Sequence, residues 1–363
     1  MAGLAMLGSL VAGTASAEAL SITRVAVVEG ETLPMLVNGR VLASGEPRSY
    51  RSQWPGVYYE TAFRGDAVFI RIVSGEARLK ISVDDRTVSV SRPEPGAYRI
   101  EAQGIGDHRL RVEIASEDQA TPFAFGGVYG HPAATPAQRR SRQIEFIGDS
   151  HTVGYGNTSP DRTCTVEQLW QTTDTGAGLA GQLAARFGTD YQVNAISGRG
   201  IVRNYNGSAG DPVPQAYPYI LFDRQHRYED PDWRPQVVAI SLGNNDFSTP
   251  LQPGERWTSR EQLTADVEAS YTAFVQAVRA RNPSARILLW GTEGGEMAAA
   301  GRTVVAQLTA LGDGRIQFVP VDGMTRTGCD YHPGLEDDRM IAEALAAVIA
   351  DDDWSVGPRG PTD

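Results

Sequence analysis

Four short polar blocks stand out beyond residue 146 of this 363-residue chain, three of them directly after an apolar run and the fourth near the C-terminus. Ile147-Gly148-Asp149-Ser150 puts a serine hydroxyl just beyond a segment of buried-strand character. Ser197-Gly198-Arg199-Gly200 follows Ile196, and a glycine there lets a backbone N–H come close to a bound group. Gly243-Asn244-Asn245-Asp246 follows Leu242, and an Asn side chain can donate an amide N–H to a developing oxyanion. Asp330-Tyr331-His332-Pro333 adds an imidazole, which suits proton transfer near neutrality. A hydroxyl, a base and oxyanion donors are the parts of acyl transfer. Each block alone has a plainer reading, Gly-Asp-Ser as a turn and Gly198 as a loop glycine. Their order and the elements before them carry the argument.

Those elements alternate. Strands are expected at Ile144 to Ile147, Tyr191 to Ile196, Val237 to Leu242, Ile287 to Trp290 and Ile316 to Val321. Helices are expected at Asp174 to Phe187, Arg260 to Arg281, Glu296 to Leu311 and Leu335 to Ile349, with a loop-rich insertion ending near Pro235. Short apolar strands alternating with helices indicate a parallel α/β sheet covered on both faces. Ligands of such sheets bind beyond the carboxyl ends of the strands, where the polar blocks lie. In the long helix, Thr258 and Glu261 read as a capping box, and Leu263, Val267, Tyr271, Phe274 and Val278 form one apolar stripe for packing.

From Leu20 to Gly130 the pattern is different: short segments of period-two alternation, such as Val68-Phe69-Ile70-Arg71-Ile72 and Leu110-Arg111-Val112-Glu113-Ile114. Arg64-Gly65-Asp66, Ser74-Gly75-Glu76 and Pro93-Glu94-Pro95-Gly96 read as turns between them. This spacing predicts a β-sandwich of jelly-roll type. Leu4 to Val11 is apolar, and Ala15-Ser16-Ala17 has the small-residue pattern of a signal-peptidase site. The expected organisation is a signal peptide over 1–17, the sandwich over 18–130, a Pro/Ala/Arg-rich linker over 131–142, the α/β domain over 143–351 and an acidic tail over 352–363.

Taken together, the four blocks resemble those of the SGNH (GDSL-like) hydrolases, which carry Ser, Gly, Asn and His in that order. The longer matches Ile144-Glu145-Phe146-Ile147-Gly148-Asp149-Ser150, Gly154-Tyr155-Gly156-Asn157 and Leu242-Gly243-Asn244-Asn245-Asp246-Phe247-Ser248 are similar to carbohydrate esterase family 2. Members of that family join a jelly roll to an SGNH domain and remove acetyl groups from plant polysaccharides such as xylan and mannan. The resemblance implies Ser150 as nucleophile and His332 as general base, with the Ser150 and Gly198 backbone N–H groups and the Asn245 side chain around the oxyanion. His151 departs from the family, which usually has an aliphatic residue there. Many SGNH hydrolases place the triad Asp three residues before the His, where this chain has Cys329. Asp330 is therefore expected to orient His332, the alternative being a dyad in which a backbone carbonyl accepts from Nδ1. Cys164 follows the nucleophile's loop and Cys329 precedes Asp330, so a disulfide joining the two loops is expected.

A net charge of −11 argues against nucleic acid or an anionic membrane surface as partner and suits a neutral substrate. Two cysteines without a His-Glu-x-x-His or Cys-x-x-Cys pattern do not make a zinc site, and neither metal nor cofactor is expected. The leader implies an exported protein, secreted or periplasmic, and no later stretch reaches the length of a membrane span. His151, Trp257 and Trp290 are candidate substrate contacts, with Trp170 and Tyr205 as further stacking faces. His108, His131 and His226 lie apart from every block. The rival readings are an SGNH esterase acting on peptidoglycan O-acetyl groups or a lipid, and a non-catalytic carbohydrate-binding protein.

Overall fold

Alternation in the first third of the chain becomes antiparallel pairing. In the computed structural model, which describes residues 19–46 and 48–355, Arg78–Val83 buries Leu79, Ile81 and Val83 and pairs with Arg86–Ser91 and Asp107–Ile114. The leader 1–17 and the end of the tail lie outside the described residues. Arg64-Gly65-Asp66 is not a turn: one strand of 17 residues, Tyr58–Ser74, runs through it, with Gly65 at φ +123°. Its first half pairs with Leu36–Asn38 and Asp107–Ile114, and its second half with Gly96–Glu101 and Phe123–Pro132. One strand thus serves both layers of the jelly-roll sandwich, whose core holds Phe63, Ile70, Val112 and Phe125. The strand Phe123–Pro132 carries Gly126-Gly127 and accommodates it through register shifts in its pairing.

The second domain holds five parallel strands in the spatial order Asp190–Ala195, Gln143–Gly148, Val237–Ser241, Arg286–Gly291, Ile316–Pro320. The first three are buried at every position, because helices cover both faces. Leu179–Phe187 and Leu335–Ala346 pack on one face, and Arg260–Arg281 and Gly295–Ala310 on the other. The long helix has the predicted ends, but its N-cap is Ser259, whose hydroxyl accepts the Gln262 N–H; Thr258 bonds the Gln262 side chain instead. The helix expected from Asp174 starts at Leu179, because Asp174 folds into a turn and accepts the Ala177 N–H at 2.9 Å.

The two sheets meet across a polar seam. The Arg140 backbone N–H and guanidinium both bond Asp190, and the guanidinium also reaches Glu60 of the sandwich. The Tyr58 hydroxyl donates to Asp190 at 2.9 Å. Arg40, fully buried, lies 3.6 Å from the Glu145 carboxylate and donates to the carbonyls of Tyr217 and Tyr219. The rings of Trp54, Tyr217 and Tyr228 surround its guanidinium.

Candidate active site

Gln143–Gly148 delivers Asp149 and Ser150 to the carboxyl edge of the sheet. Asp149 caps the short helix Ser150–Val153 by accepting the His151 N–H at 3.1 Å, which fixes the backbone that carries the serine. Ser150 faces a cleft of about 1180 Å³, lined also by His151, Gly198, Asn245 and His332. His332, in the loop after the last strand, has Nε2 2.9 Å from Ser150 Oγ. Its Nδ1 lies 2.9 Å from the Cys329 carbonyl oxygen. A carbonyl only accepts, so Nδ1 carries the proton and Nε2 is left free to take one from the serine. Burial lowers the His332 pKa below the ordinary imidazole value, partly offset by the Cys329 carbonyl and the Asp330 charge. The base is therefore neutral at pH 7.

The expected contact between Asp330 and Nδ1 is not made. Asp330 and Tyr331 both adopt positive φ in the single turn Cys329–Tyr331. That turn aims the Cys329 carbonyl at His332, whose backbone N–H it also accepts at 3.0 Å. The Asp330 side chain is left exposed and accepts the Tyr155 hydroxyl at 3.3 Å. The Tyr155 ring lies against His332 at 4.4 Å. A disulfide joins Cys164 to Cys329, with Cα atoms 5.5 Å apart. Alongside it, the Cys329 N–H donates to Gly156 O at 3.3 Å and the Asp330 N–H to Arg162 O at 2.6 Å. The base's loop is thus sewn to the loop that follows the nucleophile.

Gly198 has φ +76°, and no atom lies within 4 Å of where a Cβ would stand. Among the described residues, neither the Ser150 nor the Gly198 backbone N–H has a protein partner. Asn245 Nδ2 lines the cleft but donates to Asp149 Oδ2 at 3.1 Å and to the Arg199 carbonyl at 3.0 Å. Both amide hydrogens are engaged, so one must be exchanged before Asn245 can serve an oxyanion. Burial pushes the Asp149 carboxyl up to about 7. It also lowers the His151 imidazole to about 3, helped by His332, so His151 is neutral. The His151 ring stands edge-on to His332 at 5.5 Å.

Two expected substrate contacts lie elsewhere. Trp290 is 1% exposed, packed in the core between sheet and helices. Trp257 packs on the other helix layer and donates to Asp266 at 2.9 Å. Each apolar ring sits in packing that a lone aromatic in the sequence does not reveal. Trp170 and Tyr205 do line the cleft, joined by Tyr155 and Tyr331. Sequence reasoning missed Glu117 and Gln119, which reach the cleft from the sandwich; Ser116-Glu117-Asp118-Gln119 reads only as a polar turn. Among the described residues no cluster of His, Cys, Asp or Glu is arranged to hold a metal ion.

Residues 146–354 match the GDSL-like lipase/acylhydrolase family, and residues 37–138 match the carbohydrate esterase 2 N-terminal domain. An acetylxylan esterase / glucomannan deacetylase of Cellvibrio japonicus is 41% identical over 335 residues, 90% of this chain and 93% of that protein. A solved carbohydrate esterase, whose active site displays divergent catalytic and non-catalytic binding functions, superposes with TM-score 0.84. It is 39% identical and covers 89% of this chain and 100% of its own. A family two carbohydrate esterase from Clostridium thermocellum, solved in complex with cellohexaose, superposes with TM-score 0.77 at 26% identity, over 88% of this chain and 100% of its own.

Proposed function

The chain belongs to the GDSL-like lipase/acylhydrolase family, in its carbohydrate esterase 2 branch, and from that premise we propose that it deacetylates a plant polysaccharide such as xylan or mannan through a Ser150–His332 dyad. It is an ester hydrolase. Ser150 Oγ attacks the acetyl carbonyl as His332 Nε2 takes its proton, and His332 returns that proton to the departing sugar oxygen. The Ser150 and Gly198 backbone N–H groups receive the oxyanion, with Asn245 joining by releasing one of its two partners. Water activated by His332 then frees acetate. The Cys329 carbonyl holds the imidazole in the reactive tautomer and hydrogen-bonds the imidazolium. No cofactor enters these steps.

The observation that carries this reading is the 2.9 Å contact between His332 Nε2 and Ser150 Oγ at the cleft floor. Likeness to a protein named for xylan and glucomannan deacetylation supports the substrate class. Acetate release from acetylated xylan, glucomannan and peptidoglycan, with Ser150→Ala as control, tests it. Wild-type protein should release acetate from a plant polysaccharide and Ser150→Ala should not. Release from peptidoglycan alone would overturn the substrate class, and an active Ser150→Ala would overturn the nucleophile.

We further propose that the protein is exported and that the leader ends at Ala17. The Ala15-Ser16-Ala17 pattern and the Cys164–Cys329 disulfide support this. A mature protein beginning at Glu18, read by N-terminal sequencing, is the expected result. Among the described residues no helix is long and apolar enough to cross a membrane.

A further inference from the structure

The strand Asp107–Ile114 belongs to the sandwich, and the chain leaves it as the segment Ser116–Ala120, which forms one wall of the cleft. This segment grips the turn around Gly198. The Glu117 carboxylate accepts the Ser197 N–H, at 3.0 Å and 3.3 Å to its two oxygens. Gln119 Nε2 donates to the Ser197 carbonyl at 2.9 Å, and Arg199 Nη2 donates to Gln119 Oε1 at 3.1 Å. Within the second domain, Tyr205 N–H donates to the Gly198 carbonyl at 2.8 Å and Asn245 to the Arg199 carbonyl. Polar groups on both sides of Gly198 are therefore tied down, while its own N–H is left without a protein partner.

We propose that Glu117 and Gln119, from the sandwich domain, are positioning residues of the esterase reaction that hold the Gly198 N–H at the oxyanion site.

Gly198 sits in the left-handed region with open space where a side chain would be, so its turn has little packing to fix it. An oxyanion donor acts only if it is aimed before the charge develops, because a donor that must reorient contributes little at the transition state. The Ser197 carbonyl held by Gln119 lies in the same planar peptide unit as the Gly198 N–H, so that bond fixes the direction of the N–H, and Glu117 anchors the preceding peptide unit through the Ser197 N–H. Glu117 is half-buried with its carboxyl raised by desolvation, and the Ser197 hydrogen bonds oppose that rise. The sandwich thereby acts in the chemical step, through another residue and without touching the reacting atoms.

The inference rests on the esterase reading above. It is tested on the full chain with 4-nitrophenyl acetate, which is too small to need the polysaccharide cleft. Glu117→Ala should lower kcat about 10- to 100-fold with KM within twofold, the pattern of an interaction made in the transition state. Glu117→Gln keeps an oxygen acceptor and should retain at least half of kcat, a rescue that loss of folding would not give. Gln119→Ala, whose native side chain is exposed, should lower kcat about 3- to 10-fold, again with KM held. Should Glu117→Ala not fold, Gln119→Ala carries the test alone. Unchanged kcat in the folded variants, a raised KM with kcat intact, or Glu117→Gln as impaired as Glu117→Ala overturns the proposal. Ser150→Ala separates the failures: if it is active, the esterase reading falls, and if it is inactive while the loop variants are normal, only this inference falls.

Discussion

Replacing Asp330 by Asn distinguishes the dyad from a triad. Triad carboxylates bond Nδ1 directly, and losing that charge costs roughly 10⁴-fold in kcat, in part because the amide holds the wrong tautomer. Here Nδ1 already donates to the Cys329 carbonyl at 2.9 Å, so Asn at 330 has no access to the tautomer. What remains of Asp330 is a charge exposed to water beside the imidazolium. An exposed charge pair is worth about 1 kcal/mol or less, which corresponds to about fivefold in rate. Asp330→Asn should therefore lose less than about fivefold in kcat on 4-nitrophenyl acetate. The direction of the pH profile follows as well. The Asp330 charge raises the His332 pKa against the lowering by burial. Without that charge the imidazole stays neutral to lower pH, so the acid limb of kcat/KM should move to lower pH than in the wild type, whose own limb burial already lowers. A hundredfold or greater loss of kcat, or an acid limb moving upward, would refute this reasoning.

Asn245→Ala removes a donor that also binds Asp149 and the Arg199 carbonyl, and kcat should fall about 10²–10³-fold with a smaller change in KM; wild-type kcat would make Asn245 structural only. Cys164→Ser with Cys329→Ala opens a loop of 165 residues, for which chain entropy gives about 5 kcal/mol as an upper figure. Denaturant titration should show that loss of stability, and kcat at 25 °C should fall too, because Ala keeps the backbone carbonyl that accepts from Nδ1 but loses the disulfide that steadies its turn; unchanged kcat would show that the hydrogen bonds alone hold the turn. Asp338 is fully buried, accepts from Asn157 at 3.0 Å, and has its carboxyl raised to about 7 by desolvation. A carboxyl whose folded pKa exceeds its unfolded value adds stability that is full below the unfolded pKa near 4 and is lost as pH rises through about 7. Tm should thus fall between pH 5 and pH 8, and Asp338→Asn should flatten that fall; an identical slope would discount Asp338.

The parallel sheet was legible because strands buried on both faces leave continuous apolar runs, and the run Ile144 to Ile147 ends next to the serine it delivers. Ser150 and His332 could be paired across 182 residues because one follows a strand directly and the other lies in the loop that leaves the last strand at the same edge of the sheet. The orienting group of His332 could not be read. A backbone carbonyl has no letter of its own, and its aim depends on two consecutive positive-φ residues, Asp330 and Tyr331. Arg64-Gly65-Asp66 resembled a turn because glycine permits a bend either with or without a break in pairing; seven residues of Asp107–Ile114 pair beside it and keep the strand continuous. Trp290 looked like a sugar platform because sequence records an aromatic ring and not which layer it faces. Glu117 and Gln119 lie some 80 residues from the turn they hold, a separation at which no local pattern operates.

Arg40 bears on how such proteins can be recombined. Its charge is completed by Glu145 on one side of the seam and by rings contributed from both. A chimera joining this sandwich to a foreign catalytic half without the acid at 145 would enclose an uncompensated cation, a penalty of about 3–5 kcal/mol. Arg40 and the set Glu145, Tyr217 and Tyr228 lie on opposite sides of the 131–142 strap, so a crossover there succeeds only when the incoming catalytic half supplies the same acid and the same two rings. The seam works as a compatibility code between the halves, and it disfavours the free shuffling open to domains joined by a flexible tether.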